Sequence, residues 1–187
     1  MKKFFEEFSF EGAAKYRFWM LLPVPFLVAL DQVFKYWAAA KLKGSQAAVL
    51  WDGVFELLYV ENRGAAFSML QNARWFFVAL TSVVLLFLLL VVLSGRYRRS
   101  KLLNVSFVLV LSGGIGNLID RIINGYVIDY LYFKWIDFPV FNFADCCLVV
   151  GAVLMLAFFF FVYEDASKLT QKVKKETEND NKDLGNA

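Results

Sequence analysis

Most of the residues able to do chemistry lie in one stretch, residues 112 to 145, reading SGGIGNLIDRIINGYVIDYLYFKWIDFPVFNFAD. It starts in a glycine-rich apolar segment, runs out through Asp120–Arg121 and Asp129, and returns to apolar sequence at Asp145. Carboxylates are scarce where bilayer replaces water, because burying an unpaired charge there costs at least a few kcal/mol. Acids at the mouths of two apolar helices therefore point to a functional site. If Asp129 and Asp145 meet, they form a pair of the kind that hydrolyses amides. Two carboxyl groups held about 3 Å apart cannot both ionise comfortably and tend to share one proton. One is then a base toward water, the other an acid toward the carbonyl, and the titration belongs to the pair.

The chain has no histidine, which excludes Ser-His and Cys-His nucleophiles, the HExxH zinc site and any imidazole base. Cys146 and Cys147 are adjacent in an apolar run; neighbours form no ordinary disulfide, the spacing suggests no metal, and they read as small buried hydrophobes. A carboxylate pair needs no cofactor, metal or covalent intermediate. Asn62, Asn117, Asn142 and Arg121 add donors that could hold an extended peptide across it. The same residues would equally serve a proton relay, an ion site or a structural contact. On residue chemistry alone a peptidase, a small proton- or ion-translocating protein and a non-catalytic assembly factor all stay open. A relay would string its acids through the membrane, whereas three of the four here (Asp120, Asp129 and Asp145, but not Asp31) cluster at one face.

The elements that must position these groups follow from composition. Of 187 residues, 59% are hydrophobic and 21 are Phe, above the ~45–50% apolar share of soluble domains, and the excess is gathered in blocks. A net charge of +3 is too small to suggest nucleic acid. The blocks predict a mainly α polytopic membrane protein with four transmembrane helices, over about 18–40, 75–93, 102–122 and 144–163. Together they make one domain, 18–163, between an N-terminal cytoplasmic or interfacial segment (1–17) and a charged cytoplasmic tail (164–187) expected to fade from a helical turn or two into disorder. In segment 1–17, Phe4 and Phe8 share a helical face.

The first span contains Pro23 and Pro25, which predict a kink, and Asp31 and Lys35, which fall on one face four residues apart. That pair reads as a self-neutralising structural contact. Between the first two spans, the alternating Val54–Val60 predicts a short strand leading into a turn at Asn62–Arg63–Gly64. The basic loop SGRYRRSK after the second span marks the cytoplasmic side, and lysines flanking both ends agree, so both termini are expected there. Gly113, Gly114 and Gly116 in the third span suit close helix packing in lipid. The connection from 124 to 143, rich in aromatic and β-branched residues, reads as an irregular or partly extended excursion with aromatic anchors at the interface.

Three segments, ENRGAAF, GGIGNLIDR followed by GYVIDY, and FNFAD, resemble in order and spacing the motifs of the lipoprotein signal peptidase (signal peptidase II) family, and Asp31 with Lys35 fits the same pattern. The resemblance covers residues 18 to 163. It implies an aspartic endopeptidase of the bacterial inner membrane with four transmembrane helices, a small extracytoplasmic β-rich cradle and a short loop helix, its site on the extracytoplasmic face. The implied substrate is a prolipoprotein cut just before a diacylglyceryl-modified cysteine, with membrane lipid around it. The motifs make Asp129 and Asp145 the catalytic pair, and put Asn62, Gly64, Asn117, Asp120, Arg121, Asn142 and Ala144 at substrate-binding or supporting positions. Asp120, next to Arg121, is expected in a buried supporting ion pair and is the runner-up catalytic carboxylate. Four spans enclosing one site need no partner, so a monomer is expected. Tyr130, Phe143 and Cys146–Cys147 depart from the family's commoner residues.

Overall fold

The computed structural model describes residues 10–64, 73–95 and 100–163. Four helices are long and apolar enough to cross a membrane: Tyr16–Leu42, Arg74–Ser94, Lys101–Ile123 and Phe143–Phe161. The first is built of α1 (Phe10–Leu21) and α2 (Pro23–Leu42), with only Leu22 between them. Pro23 opens α2, and Leu22 before it keeps helical dihedrals (φ −54°, ψ −38°). Leu22 still donates to the Phe18 carbonyl at 3.0 Å, so the prolines mark a junction rather than an end. α3 (Arg74–Ser94) is the most apolar span, and Gly95 in the left-handed conformation (φ 68°) closes it. α4 (Lys101–Ile123) is the most buried and touches the other three spans; α5 (Phe143–Ala157) runs on into a π-helical stretch, Phe158–Tyr163.

The core of the bundle gathers Met20, Val24, Leu85, Leu88, Val92, Leu103, Phe107, Leu111 and Phe158. Lipid tails are as apolar as leucine, so close packing rather than water exclusion must hold the helices together. α4 and α5 accordingly meet at small residues. A Cβ at Gly113 would overlap the Ala144 carbonyl oxygen, and one at Gly151 would lie 2.7 Å from Val110 Cγ2. Ser106 Oγ donates to the Gly151 carbonyl at 2.7 Å across the same seam. Gly113→Ala is therefore expected to wedge α5 away from α4 and to destabilise the protein by about 1–3 kcal/mol or more. Thermal unfolding in detergent measures this, and an unchanged midpoint would show that the seam can open at no cost.

Outside the spans, three strands form one antiparallel sheet in the order β1 (Ala48–Trp51), β2 (Phe55–Asn62), β3 (Val127–Phe133). The expected strand is β2. The expected irregular excursion is in large part a regular strand: Val127-Ile128-Asp129-Tyr130-Leu131-Tyr132-Phe133 is rich in side chains that favour a pleated surface, and β2 supplies the partner. Gly125, at φ 84°, makes the turn between α4 and β3. A 3-10 turn, Lys134–Ile136, follows β3, and the chain returns to it at a Leu131–Phe141 bridge before α5 begins. Among the described residues that turn is the only helical piece outside the four spans, so the expected loop helix is not among them. Residues 1–9, residues 65–72 (which include the last three of ENRGAAF), 96–99 of the basic loop and the tail from 164 lie outside the described residues.

Candidate active site

Asp129 lies mid-way along β3, opposite Val60 of β2, and is 2% exposed. Its Oδ2 accepts from Asn62 Nδ2 at 2.9 Å and its Oδ1 from Asn142 Nδ2 at 2.6 Å. Asn62 closes β2, and its side-chain oxygen Oδ1 accepts the Gly64 N–H at 3.0 Å, so its Nδ2 is left facing the carboxylate. Burial pushes the Asp129 carboxyl up to about 7, and the nearby charge of Asp145 pushes the same way; the two amide donors oppose the rise without cancelling it.

Asp145 stands three residues into α5 and closes a capping box with Asn142. Asn142 Oδ1 accepts the Asp145 N–H at 2.9 Å, and Asp145 Oδ2 accepts the Asn142 N–H at 3.1 Å. The positive end of the helix dipole suits an acid in this turn. The other oxygen, Oδ1, accepts from Asn117 Nδ2 at 2.8 Å. Asn142 thus touches both acids, and the link between the two carboxyl groups runs through it. Its amide also donates to Asn117 Oδ1 at 3.2 Å, and the residue is fully buried.

The remaining residues singled out in the sequence divide by helix face. Arg121 turns toward the cavity, donating to the Gly64 carbonyl at 3.3 Å with its guanidinium 5.0 Å from the Phe77 ring. Asp120 turns the other way, into the bundle, and its ionic partner is Lys35 at 3.0 Å. This corrects the expected Asp120–Arg121 pair, since consecutive residues on a helix point to different faces. Lys35 also pairs with Asp31 at 2.9 Å and donates to Asn117 Oδ1 at 2.8 Å. Ala144, fully buried, contributes its N–H, which Asp31 Oδ1 accepts at 3.0 Å. Asn62, Asn117, Asn142, Asp129 and Asp145 therefore converge directly, Gly64 and Arg121 flank them, and Asp31, Lys35, Asp120 and Ala144 lie behind.

Both acids line a cavity of about 830 Å³, with Asn62, Gly64, Asn117 and Arg121 on its polar side. Its apolar side is Phe138–Phe141 from the return to α5 and Leu148, Val149 and Val150 from α5 itself. Val149 and Val150 are 63% and 49% exposed on a span helix, so this wall continues onto the exposed apolar surface of that span. Sequence reading missed the Phe138–Phe141 wall and the Lys35 contacts to α4; both depend on distant segments meeting, for which local spacing carries no signal.

The signal peptidase (SPase) II family matches residues 24–161. The lipoprotein signal peptidase of Streptococcus thermophilus (strain CNRZ 1066) is 46% identical over 130 residues, covering 70% of this chain and 84% of that protein. That of Halothermothrix orenii is 43% identical over 133 residues, covering 71% and 88%. A bacterial membrane enzyme solved by the in meso method at 2.3 Å superposes with a TM-score of 0.69 at 27% identity, covering 80% of this chain and 90% of that one. With four apolar spans, a three-stranded sheet and a family match across nearly the whole bundle, this chain belongs to the signal peptidase II family.

Proposed function

We infer that this protein removes signal peptides from prolipoproteins as an aspartic endopeptidase, with Asp129 and Asp145 as the paired acids. The observation that carries the reading is the convergence of two acids, remote in sequence, on one buried residue, Asn142, at the wall of a cavity whose apolar side includes residues of a span helix. With its carboxyl pushed up to about 7, Asp129 retains its proton in about half of the molecules at neutral pH, and in that form it is the acid while Asp145 serves as the base.

Asp145 takes a proton from water as the water oxygen attacks the scissile carbonyl carbon, and Asp129 gives its proton to the carbonyl oxygen. On collapse of the gem-diol, the proton on Asp145 passes to the leaving nitrogen, the C–N bond breaks, and a hydroxyl proton returns to Asp129. The sum is one water consumed and one amide cleaved, with both acids restored.

The apolar wall fits a cysteine carrying a diacylglyceryl group just after the cut. Its acyl chains stay in lipid, where each buried CH₂ contributes about 0.8 kcal/mol, and the peptide lies against Asn62 and Arg121. The basic loop and flanking lysines support cytoplasmic termini, and with them a sheet and cavity on the outer face of the bacterial cytoplasmic membrane. The bundle encloses the site without a second copy, as a monomer would.

The purified protein, given a diacylglyceryl-modified prolipoprotein and the same protein lacking the lipid, is expected to cut only the first. Equal cleavage of both would refute the lipid requirement. Because Asp129 must be protonated to act as the acid, kcat/KM is expected to fall as pH rises through about 7. A rate that climbs steadily to pH 9 would contradict that assignment.

A further inference from the structure

Lys35 takes no part in the chemistry above, yet its contacts converge on both acids. It is 1% exposed, and its Nζ has three acceptors: Asp31 Oδ2 at 2.9 Å, Asp120 Oδ2 at 3.0 Å and Asn117 Oδ1 at 2.8 Å. An ammonium has three donors, so none is left over. The two carboxylates it holds do matching things. Asp31 Oδ1 accepts the N–H of Ala144 at 3.0 Å, and Asp120 Oδ2 accepts the N–H of Ile128 at 3.1 Å. Ala144 immediately precedes Asp145, and Ile128 immediately precedes Asp129. One cation on α2 thereby fixes the start of α5 against β3, and with them the separation of the two acids.

The third arm sets the sense of an amide. An ammonium can only donate, so the contact from Lys35 requires Asn117 to present its oxygen to the lysine and its NH₂ to Asp145. A flipped Asn117 would turn a carbonyl oxygen on the Asp145 carboxylate. The donor from Asn142 to Asn117 Oδ1 agrees with the same sense, and its place in the capping box ties Asn142 to it. A plain structural ion pair between α2 and α4 would need neither the Asn117 contact nor the two backbone grips.

We propose that Lys35 is a positioning residue for peptide cleavage: acting through Asn117 and through the backbone beside each acid, it sets the spacing of Asp129 and Asp145 and turns the Asn117 amide toward Asp145. This rests on the reading of Asp129 and Asp145 as the catalytic pair, and it gives Lys35 no contact with substrate.

Lys35→Met alone would leave two buried carboxylates without their cation and could unfold the protein. The test is therefore the neutral triple variant Asp31→Asn/Lys35→Met/Asp120→Asn, which keeps an acceptor for each backbone N–H but removes the donor to Asn117. Full-length protein is assayed on a diacylglyceryl-modified prolipoprotein, with active sites counted by titration with a statine-type transition-state analogue. The triple variant is expected to stay folded, to keep its KM, and to lose kcat per titrated site by on the order of 10²-fold, the scale of a misplacement of about 1 Å. In an Asn117→Ala background the same three changes should cost about 10-fold rather than 10²-fold, since the Asn117 arm they remove already leads nowhere and only the loss of the cation joining the two backbone grips remains. Wild-type kcat in the folded triple variant, or full additivity with Asn117→Ala, would reduce Lys35 to a structural residue. So would failure of the triple variant to fold. Cleavage that survives Asp129→Asn or Asp145→Asn would instead bring down the catalytic assignment beneath it, so the two failures are distinguishable.

Discussion

Asp129→Asn and Asp145→Asn are each expected to lower kcat by about 10⁴-fold or more, the scale on which groups that act as one catalytic unit fail when one member is lost. Neither amide can carry and return a proton at neutral pH. The Asp129→Asn variant should nevertheless be at least as stable as the wild type in alkaline solution. A carboxyl raised in the folded state from the ordinary 3.8 to about 7 means that the native protein binds more protons than the unfolded chain in that interval. Stability therefore falls as pH rises from about 4 to 7, by about 4 kcal/mol at 1.36 kcal/mol per pH unit. An uncharged amide at this position would escape that loss. Against it stands one mismatch: Asn62 and Asn142 both donate to position 129, and an amide has only one oxygen, which costs about 1–3 kcal/mol. The balance favours the variant above pH 7. Chemical denaturation at pH 5 and pH 8 checks it, and a variant that is markedly the weaker of the two at pH 8 would show that Asp129 is ionised and well solvated in the folded protein.

Asn142→Ser separates two duties that one residue performs. Asn142 Oδ1 caps α5 by accepting the Asp145 N–H, while its Nδ2 touches Asp129 and Asn117. Serine is an equally good cap but is too short to reach both partners. The variant is expected to lose about 10²-fold or more in kcat, the cost of removing one well-placed donor from a catalytic site, with a stability change of about 1 kcal/mol. Asn142→Ala, lacking both duties, should lose activity similarly and a further ~1 kcal/mol of stability. Equal activity of Asn142→Ser and wild type would mean that the amide bridge does nothing for the acids.

The parts of this arrangement that could be read from the chain are those set by local rules. Bilayer-length apolar runs give the four helices. Asp31 and Lys35 stand four apart on one helix and pair as their spacing predicts. What could not be read depends on segments meeting across the fold. Asp120 beside Arg121 suggested a pair from adjacency alone, but helix geometry sends Asp120 inward to Lys35 on the first span. Likewise 127–133 becomes a strand because β2 is there to pair with it. The apolar wall of the cavity combines two segments, 138–141 and 148–150, whose apolar character alone gives no sign that they share a cavity. The motifs narrowed the candidate acids, and only the assembled packing joins them to Asn62, Asn117 and Asn142.

Asp129 and Asp145 are expected to hold one proton between them, and isotope-edited infrared titration of aspartate-labelled protein in lipid reads this directly. A protonated-carboxyl band should be present at pH 5, fade with a midpoint near 7, and change in both Asp129→Asn and Asp145→Asn because it belongs to the pair. A band untouched by either substitution, or two carboxylates ionised throughout, would contradict the account.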